Sequence, residues 1–359
     1  MVIKLSKFAL GIFSFAALAA LIIFSSDVSQ AVSEGVSICL NILVPSIFVF
    51  LILSDFFIQT GWLSHILKPF SFICSKLFHI PLSLGSVVFM SLVCGYPVGA
   101  KLIARMVEEK TISDKLGERL LTFCVNAGPA FLIGGVAIPI FSSLKLGLII
   151  FISHITAFFI VGICSGIGKK AERLNISNVA VSPSESLVSS VRSATIAMVN
   201  ICAFVLLFSG ILGMLKQIGF FNAIENIFSD FISPGSASAI VAGALEVSSG
   251  VFLSKEVVGA LSFFIVVAVT AFGGICVHLQ IRSILCKTKI SMKPFYLYRI
   301  LYLLTSFITS AILFFFIGDT AAVFSTVSPI TPSADHGNPF ASILLLIFSA
   351  FVCVKMGTA

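Results

Sequence analysis

The chain has 359 residues, of which 58% are hydrophobic and only 10% charged, and its mean hydropathy is +1.15. Soluble domains carry nearer to about 25% charge, so this composition excludes a water-soluble globular fold and indicates an all-α polytopic membrane protein, because helices satisfy every backbone group inside lipid. The net charge of +7 belongs to cytoplasmic loops rather than to a nucleic-acid surface, and the nine cysteines, set mostly in apolar runs without a CxxC, point to neither a disulfide framework nor a metal site.

Lys4 and Lys7 precede the apolar run Phe8–Phe24. It reads as a retained first helix rather than a cleaved signal, being long for a signal core, with Asp27–Ala31 as the outer loop behind it. Val36–Ile58 is the second span. Trp62–Leu77 mixes His65, Lys68 and Lys76 with apolar residues and contains a proline, so it reads as an interfacial helix.

Leu82–Val93 and Ala100–Val107 are each too short to cross a ~30 Å core. With Gly95-Tyr96-Pro97-Val98-Gly99 between them, they predict a re-entrant hairpin that enters and leaves on one side. Glu108–Arg119 is a charged surface segment with Ser113 or Asp114 as helix cap. The next helix, Leu116–Phe141, is interrupted at Asn126-Ala127-Gly128-Pro129. Pro129 has no N–H, so the Val125 carbonyl four residues back loses its usual donor and needs another. Leu146–Gly166 is the following span, and the Ser-rich stretch Lys169–Arg192 is a cytoplasmic linker.

The second half repeats this order. Ala194–Leu215 spans, Phe220–Ile232 is amphipathic, and Ser236–Leu245 leads to a second tip, Glu246-Val247-Ser248-Ser249-Gly250. Val257–Cys286 is a span interrupted near Thr270-Ala271-Phe272-Gly273-Gly274. Phe295–Ile317 spans, Gly318–Pro339 is an outer loop, and Ser342–Val354 is a short last span. About eight spans result, with two re-entrant hairpins and two broken helices. The divisions are 1–35 (first helix and outer loop), 36–168 (first repeat), 169–192 (linker), 193–317 (second repeat) and 318–359 (outer loop and last helix). With both termini inside, only Lys145, Lys216 and Lys255 of the 22 Lys and Arg fall on the outer side. That bias sets the orientation and inverts the halves relative to each other, as in many secondary transporters.

Three motifs, Cys94-Gly-Tyr-Pro-Val-Gly-Ala-Lys101, Asn126-Ala-Gly-Pro129 and Phe272-Gly-Gly-Ile-Cys-Val-His-Leu-Gln280, resemble the nucleoside-recognition (Gate) domain family. Within it they look most like the YlbJ-type sporulation integral membrane proteins. The resemblance covers roughly Asn41–Ile317. It implies a multi-pass protein of the bacterial inner membrane, similar in plan to concentrative nucleoside transporters and acting in spore-envelope or cortex formation. It does not imply a nucleoside ligand, since the first tip offers Tyr-Pro-Val rather than a Gln/Thr/Glu set.

Backbone that leaves the helix at membrane depth survives only where protein buries it or where it lines a polar cavity. The candidate substrate-binding residues therefore cluster at the tips and breaks: Gly95, Tyr96, Pro97, Gly99, Asn126, Gly128, Pro129, Glu246, Ser248, Ser249, Gly250, Thr270, Gly273, Gly274, His278 and Gln280. Tyr96, Asn126 and Gln280 would exchange hydrogen bonds with a solute, and Glu246 would meet a cation or protonated group. Tyr96, Asn126, Ser249 and Thr270 are expected on one cavity near mid-depth. His278 has a blander reading as a backbone-bonded histidine, as do the glycines as packing residues. Lys101 and Arg105 are expected to snorkel, and Asp55 to lie at the interface. No GxSxG, HExxH or Walker loop occurs, so no enzyme, cofactor or metal is expected. The expected partners are the bilayer, a small solute, and other copies or other membrane proteins.

Overall fold

The computed structural model describes residues 22–172, 174 and 182–317, with 15 and 19 besides. The expected last span and the loop before it lie outside the described residues, as does most of the expected first span. Within them the chain is helical, with strands nowhere among the described residues.

A long rod opens the fold: α1 (Ser25–Ile38), a π-turn (Cys39–Leu43) and α2 (Val44–Thr60) run on without interruption. Asp27–Ala31, expected as a loop, is therefore helical. It packs on α10 (Pro183–Gln217), where a Cβ on Gly213 would come within 2.5 Å of the Ala31 methyl and one on Gly35 would strike Ser209. Small residues that let two backbones approach drive helix association where lipid removes the hydrophobic incentive. The α10 helix also begins earlier than the sequence suggests. Ser182 caps it by accepting from the Glu185 N–H, so the last ten residues of the expected linker, from Pro183 to Arg192, are its first turns.

Gly61, in the left-handed conformation, turns the chain into α3 (Trp62–Ile66) and α4 (Lys68–Phe78). The expected interfacial helix is these two short pieces. The next segment, Leu82–Cys94, leaves α4 at 118°. The first hairpin is α5 (Gly85–Cys94) and α6 (Tyr96–Glu108), and only Gly95 between them leaves the helix. Tyr96 to Gly99, expected as an irregular tip, form the first turn of α6, because Pro97 suits the opening turn of a helix. Ser113 rather than Asp114 caps α7 (Asp114–Phe123). The chain is then irregular through Cys124–Gly128 before a π-helix (Ala130–Ala137), α8 (Ile138–Phe141) and α9 (Leu144–Gly166).

The second half follows with α11 (Phe220–Phe228), α12 (Ser236–Leu245), α13 (Val247–Leu253), α14 (Ala260–Phe272), α15 (Gly274–Ile284) and α16 (Lys293–Ile317). Its break is narrower than expected. Thr270 to Phe272 remain helical, and Gly273 alone, at φ 88°, divides a span that runs Ala260–Lys287. Each hairpin packs on the broken helix of its own half, and α6 meets α15 across the halves.

The long helix α16 packs against α9, α14 and α7. Its inward face carries Arg299, Tyr302, Ser306 and Ser310, all buried. Its outward face shows Ile300, Leu304, Ile308 and Phe315. A polar stripe inside and an apolar surface outside is the pattern of a helix whose outer solvent is lipid. Among the described residues five helices are long and apolar enough to cross a membrane, or six with the bent Lys68–Cys94 pair. The molecule is an all-α polytopic membrane protein.

Candidate functional site

The two tips meet. A cavity of about 50 Å³ lies between them, lined by Gly95, Tyr96 and Pro97 of the first and Glu246, Val247 and Ser248 of the second. Gly128 from the first break, Gln280 from α15 and Ser46 from α2 complete its polar wall, and Phe50, Phe131, Ile201 and Val205 its apolar one. At roughly 10–15 Å³ per enclosed water, it has room for three to five waters in this conformation.

Close backbone approach builds it. A Cβ on Gly99 would lie 1.8 Å from the Cys124 carbonyl oxygen, and one on Gly250 2.1 Å from the Gly243 Cα. These glycines hold equivalent places, one turn into the second arm of each hairpin. At the other break, a Cβ on Gly274 would sit 3.0 Å from the Gly243 carbonyl oxygen.

Glu246 is 3% exposed. It caps α13: one carboxylate oxygen accepts from the Ser248 N–H (2.9 Å), the other from the Ser249 N–H (2.7 Å) and the Ser249 hydroxyl (2.8 Å). Its charge is thus held by three donors of its own tip. Ser248 faces the central cavity, whereas Ser249 lines a second cavity of about 420 Å³ with Glu34, Lys216, Asn222 and Glu256. Consecutive helical residues point about 100° apart, and here that sends the two serines to different cavities.

The expectation that Tyr96, Asn126, Ser249 and Thr270 share one cavity is therefore corrected: of the four, Tyr96 alone lines the central one. The Thr270 side chain turns back on its own helix and donates to the Val266 carbonyl (2.7 Å), with His154 Nε2 3.2 Å away. Its carbonyl accepts from the Tyr96 hydroxyl, which ties the first tip to the second break. Asn126 is fully buried near the Gly95 tip, but its amide has no partner among the described residues. Pro129 lines a separate groove beside α2 and the π-helix. His278 takes the blander role, with Nε2 3.1 Å from the Phe272 carbonyl oxygen and its ring among Phe272, Phe295 and Tyr296. Gln280 lines the cavity and donates to Cys276 Sγ at 3.3 Å.

Arg299 is the residue that sequence reasoning missed. Counted with the cytoplasmic charges, it is in fact 1% exposed in the middle of the bundle. Its Nη1 donates to the Val125 carbonyl at 2.5 Å and its Nε to the Phe272 carbonyl at 2.9 Å. The donor that Pro129 takes from Val125 is thus replaced by a guanidinium, which also serves the carbonyl just before Gly273. The rings of Tyr96, Phe295 and Tyr302 surround the cation at 5.7, 5.4 and 4.9 Å, and Tyr302 hydrogen-bonds His154. The available signal was position: Arg299 lies inside the span Phe295–Ile317, and an ionisable residue within a span is a functional candidate by default. Lys101 is similarly corrected. It does not snorkel but pairs with the buried Asp55 at 2.6 Å, joining the first hairpin to α2.

Among curated proteins, the chain matches the "Sporulation integral membrane protein YlbJ" of Bacillus subtilis (strain 168), with 28% identity over 305 residues. The chain is a relative of YlbJ. The match covers 76% of this chain and 74% of the relative. No family model matches the chain, and no solved structure matches it.

Proposed function

We propose that this protein is a permease-like handler of a small solute in the bacterial inner membrane, acting in sporulation, on a Gate-like fold of two inverted repeats with both termini cytoplasmic. The observation that carries the reading is the convergence of the two tips and Gln280 on one cavity flanked by helix breaks. This is the construction secondary transporters use at the midplane. Sporulation enters through the printed name of the related protein. The orientation rests on the skewed distribution of Lys and Arg. No enzymatic step, metal or cofactor is part of the proposal.

Size limits the solute. Pockets that hold drug-sized ligands measure about 300–1,000 Å³, and the central cavity holds about 50 Å³. A nucleoside would fit only after the second hairpin moves and joins the central space to the cavity beyond Ser249. The same small volume, with Glu246 already satisfied by its own tip, favours a second reading in which the fold is a structural component of spore-envelope assembly.

A ligand-stabilisation screen separates them, since binding to the folded state raises the unfolding temperature by mass action. Detergent-purified protein would be heated with nucleosides, amino acids, sugars, dipicolinate and metal ions. The transport reading expects at least one class to stabilise the protein, with the shift lost in Gln280→Leu. No shift from any class would leave the structural reading standing.

A further inference from the structure

We propose that Arg299 and Asn126 together hold a small monovalent anion inside the membrane, beside the peptide that joins Val125 to Asn126. Arginine keeps its proton in proteins, and a buried charge needs a partner. Arg299 has none of opposite sign: the ion pairs among the described residues are Lys101–Asp55 and Arg105–Glu109. The carboxylate at the tips, Glu246, is occupied by Ser248 and Ser249. The three surrounding rings reduce the cost of the cation without cancelling its charge.

The geometry also leaves donors over. Arg299 Nε and Nη1 are used on carbonyls, but Nη2 has no partner, and neither has Nδ2 or Oδ1 of the fully buried Asn126. Because Nη1 lies 2.5 Å from the carbonyl of the residue bonded to Asn126, the two unsatisfied side chains flank one peptide unit. Gly273 lets the guanidinium come close to the second break: a Cβ there would lie 3.0 Å from Nη2. Buried polar atoms are rarely left unpaired, and orphans in a native structure point to an unplaced water or ion. Water alone would fill the hydrogen bonds but leave the net positive charge. An anion accepting from Nη2 and Nδ2 meets both requirements, and one negative charge matches one guanidinium. A water sharing the site would donate to Asn126 Oδ1.

This inference does not depend on transport, and its test reads binding alone. Detergent-purified protein is held in sodium gluconate at constant ionic strength, chloride or acetate is exchanged in, and thermal unfolding is followed. Chloride and acetate distinguish a halide from a small carboxylate, and gluconate is too large to enter. The expected result is a saturable rise for one of the two, roughly 5 °C near a hundredfold excess over Kd, reduced in Asn126→Leu and absent in Arg299→Gln. Should Arg299→Gln fail to accumulate, crystals grown in bromide decide, with an anomalous peak expected beside Nη2. Unfolding temperatures that do not change with either anion would overturn the proposal. So would a shift that survives unchanged in both variants or, where chloride is the stabilising anion, an ordered water without bromide at that position.

Discussion

At the scale of single residues, the molecule depends on positions where nothing larger than hydrogen fits. Gly250 packs against the Gly243 backbone and Gly99 against the Cys124 carbonyl, whereas a Cβ on Gly134 would meet nothing within 4 Å. A methyl group at Gly250 has no flexible neighbour to displace, so the second hairpin must move as a unit. Overpacking costs about 1–3 kcal/mol even in cores that can adjust, and a backbone clash belongs at the upper end. Gly250→Ala is expected to lower the unfolding temperature markedly and to reduce the monodisperse fraction on size exclusion. Gly134→Ala should match the parent, and an equal loss in both would show that backbone approach is not what holds the tip. Arg299 makes the complementary point. One side chain from α16 satisfies carbonyls at both breaks, so the halves are joined by a cation rather than by apolar packing alone.

At the scale of elements, the second hairpin is anchored by α11. Glu225 on that helix accepts from the Ser238 N–H (2.6 Å) and the Gly235 N–H (3.1 Å), so it caps α12 from outside. Burial by itself would raise the carboxyl's pKa, but the hydrogen bonds from Ser238 and Gly235 outweigh it and hold the group below the usual carboxylate range. The sign follows from linkage. With the folded pKa below the unfolded value of about 4.3, the stabilisation is fully present above that value and is lost as pH falls through the folded pKa. Removing such a cap costs about 1 kcal/mol. Glu225→Gln should therefore be less stable than the parent at pH 7, with the gap closing as pH falls below about 4. Unfolding midpoints measured across that range would show it, and a gap that is constant with pH would reject the charged cap.

At the scale of the whole molecule, charge sorts the two ends. One end gathers the loops where the Lys289 N–H meets Asp114, the Ser291 N–H meets Glu118 and the Ser113 hydroxyl meets Glu172. At the other, α8 packs on the turn Ser254–Glu256, and the cavity beyond Ser249 brings Glu34, Lys216 and Glu256 together. The three outer lysines of the sequence count, Lys145, Lys216 and Lys255, belong to elements of that second end. Orientation then gives a test. With a membrane-impermeant thiol reagent on intact cells, Lys255→Cys in a cysteine-free background should label, and Lys289→Cys only after permeabilisation. The reverse pattern would invert the proposed topology.

Much of this was legible in the sequence because lipid imposes strong local rules. Apolar length located the five long spans among the described residues, though not the expected span Leu116–Phe141, whose apolar part is only the shorter helix Ala130–Phe141. Gly95 and Pro129 located the departures from helix, and the loss of a donor at the Val125 carbonyl followed from proline chemistry alone. Ser236–Leu245 came out with the bounds it has in the structure. What composition could not settle was where polar stretches end, since Asp27–Ala31 is helical where it packs on the Gly210–Gly213 end of α10, and the first turns of α10 are helical where Ser189 and Ser190 meet Gln59 of α2. The identity of the partners was likewise a tertiary matter. The donor for Val125 comes from Arg299, 174 residues away, and Asp55 finds Lys101 across 46 residues. Local sequence dictates which backbone and side-chain groups need a partner, because each such need arises within a turn or two of helix. Only the packed bundle decides which partner meets it, because that depends on which helices lie side by side.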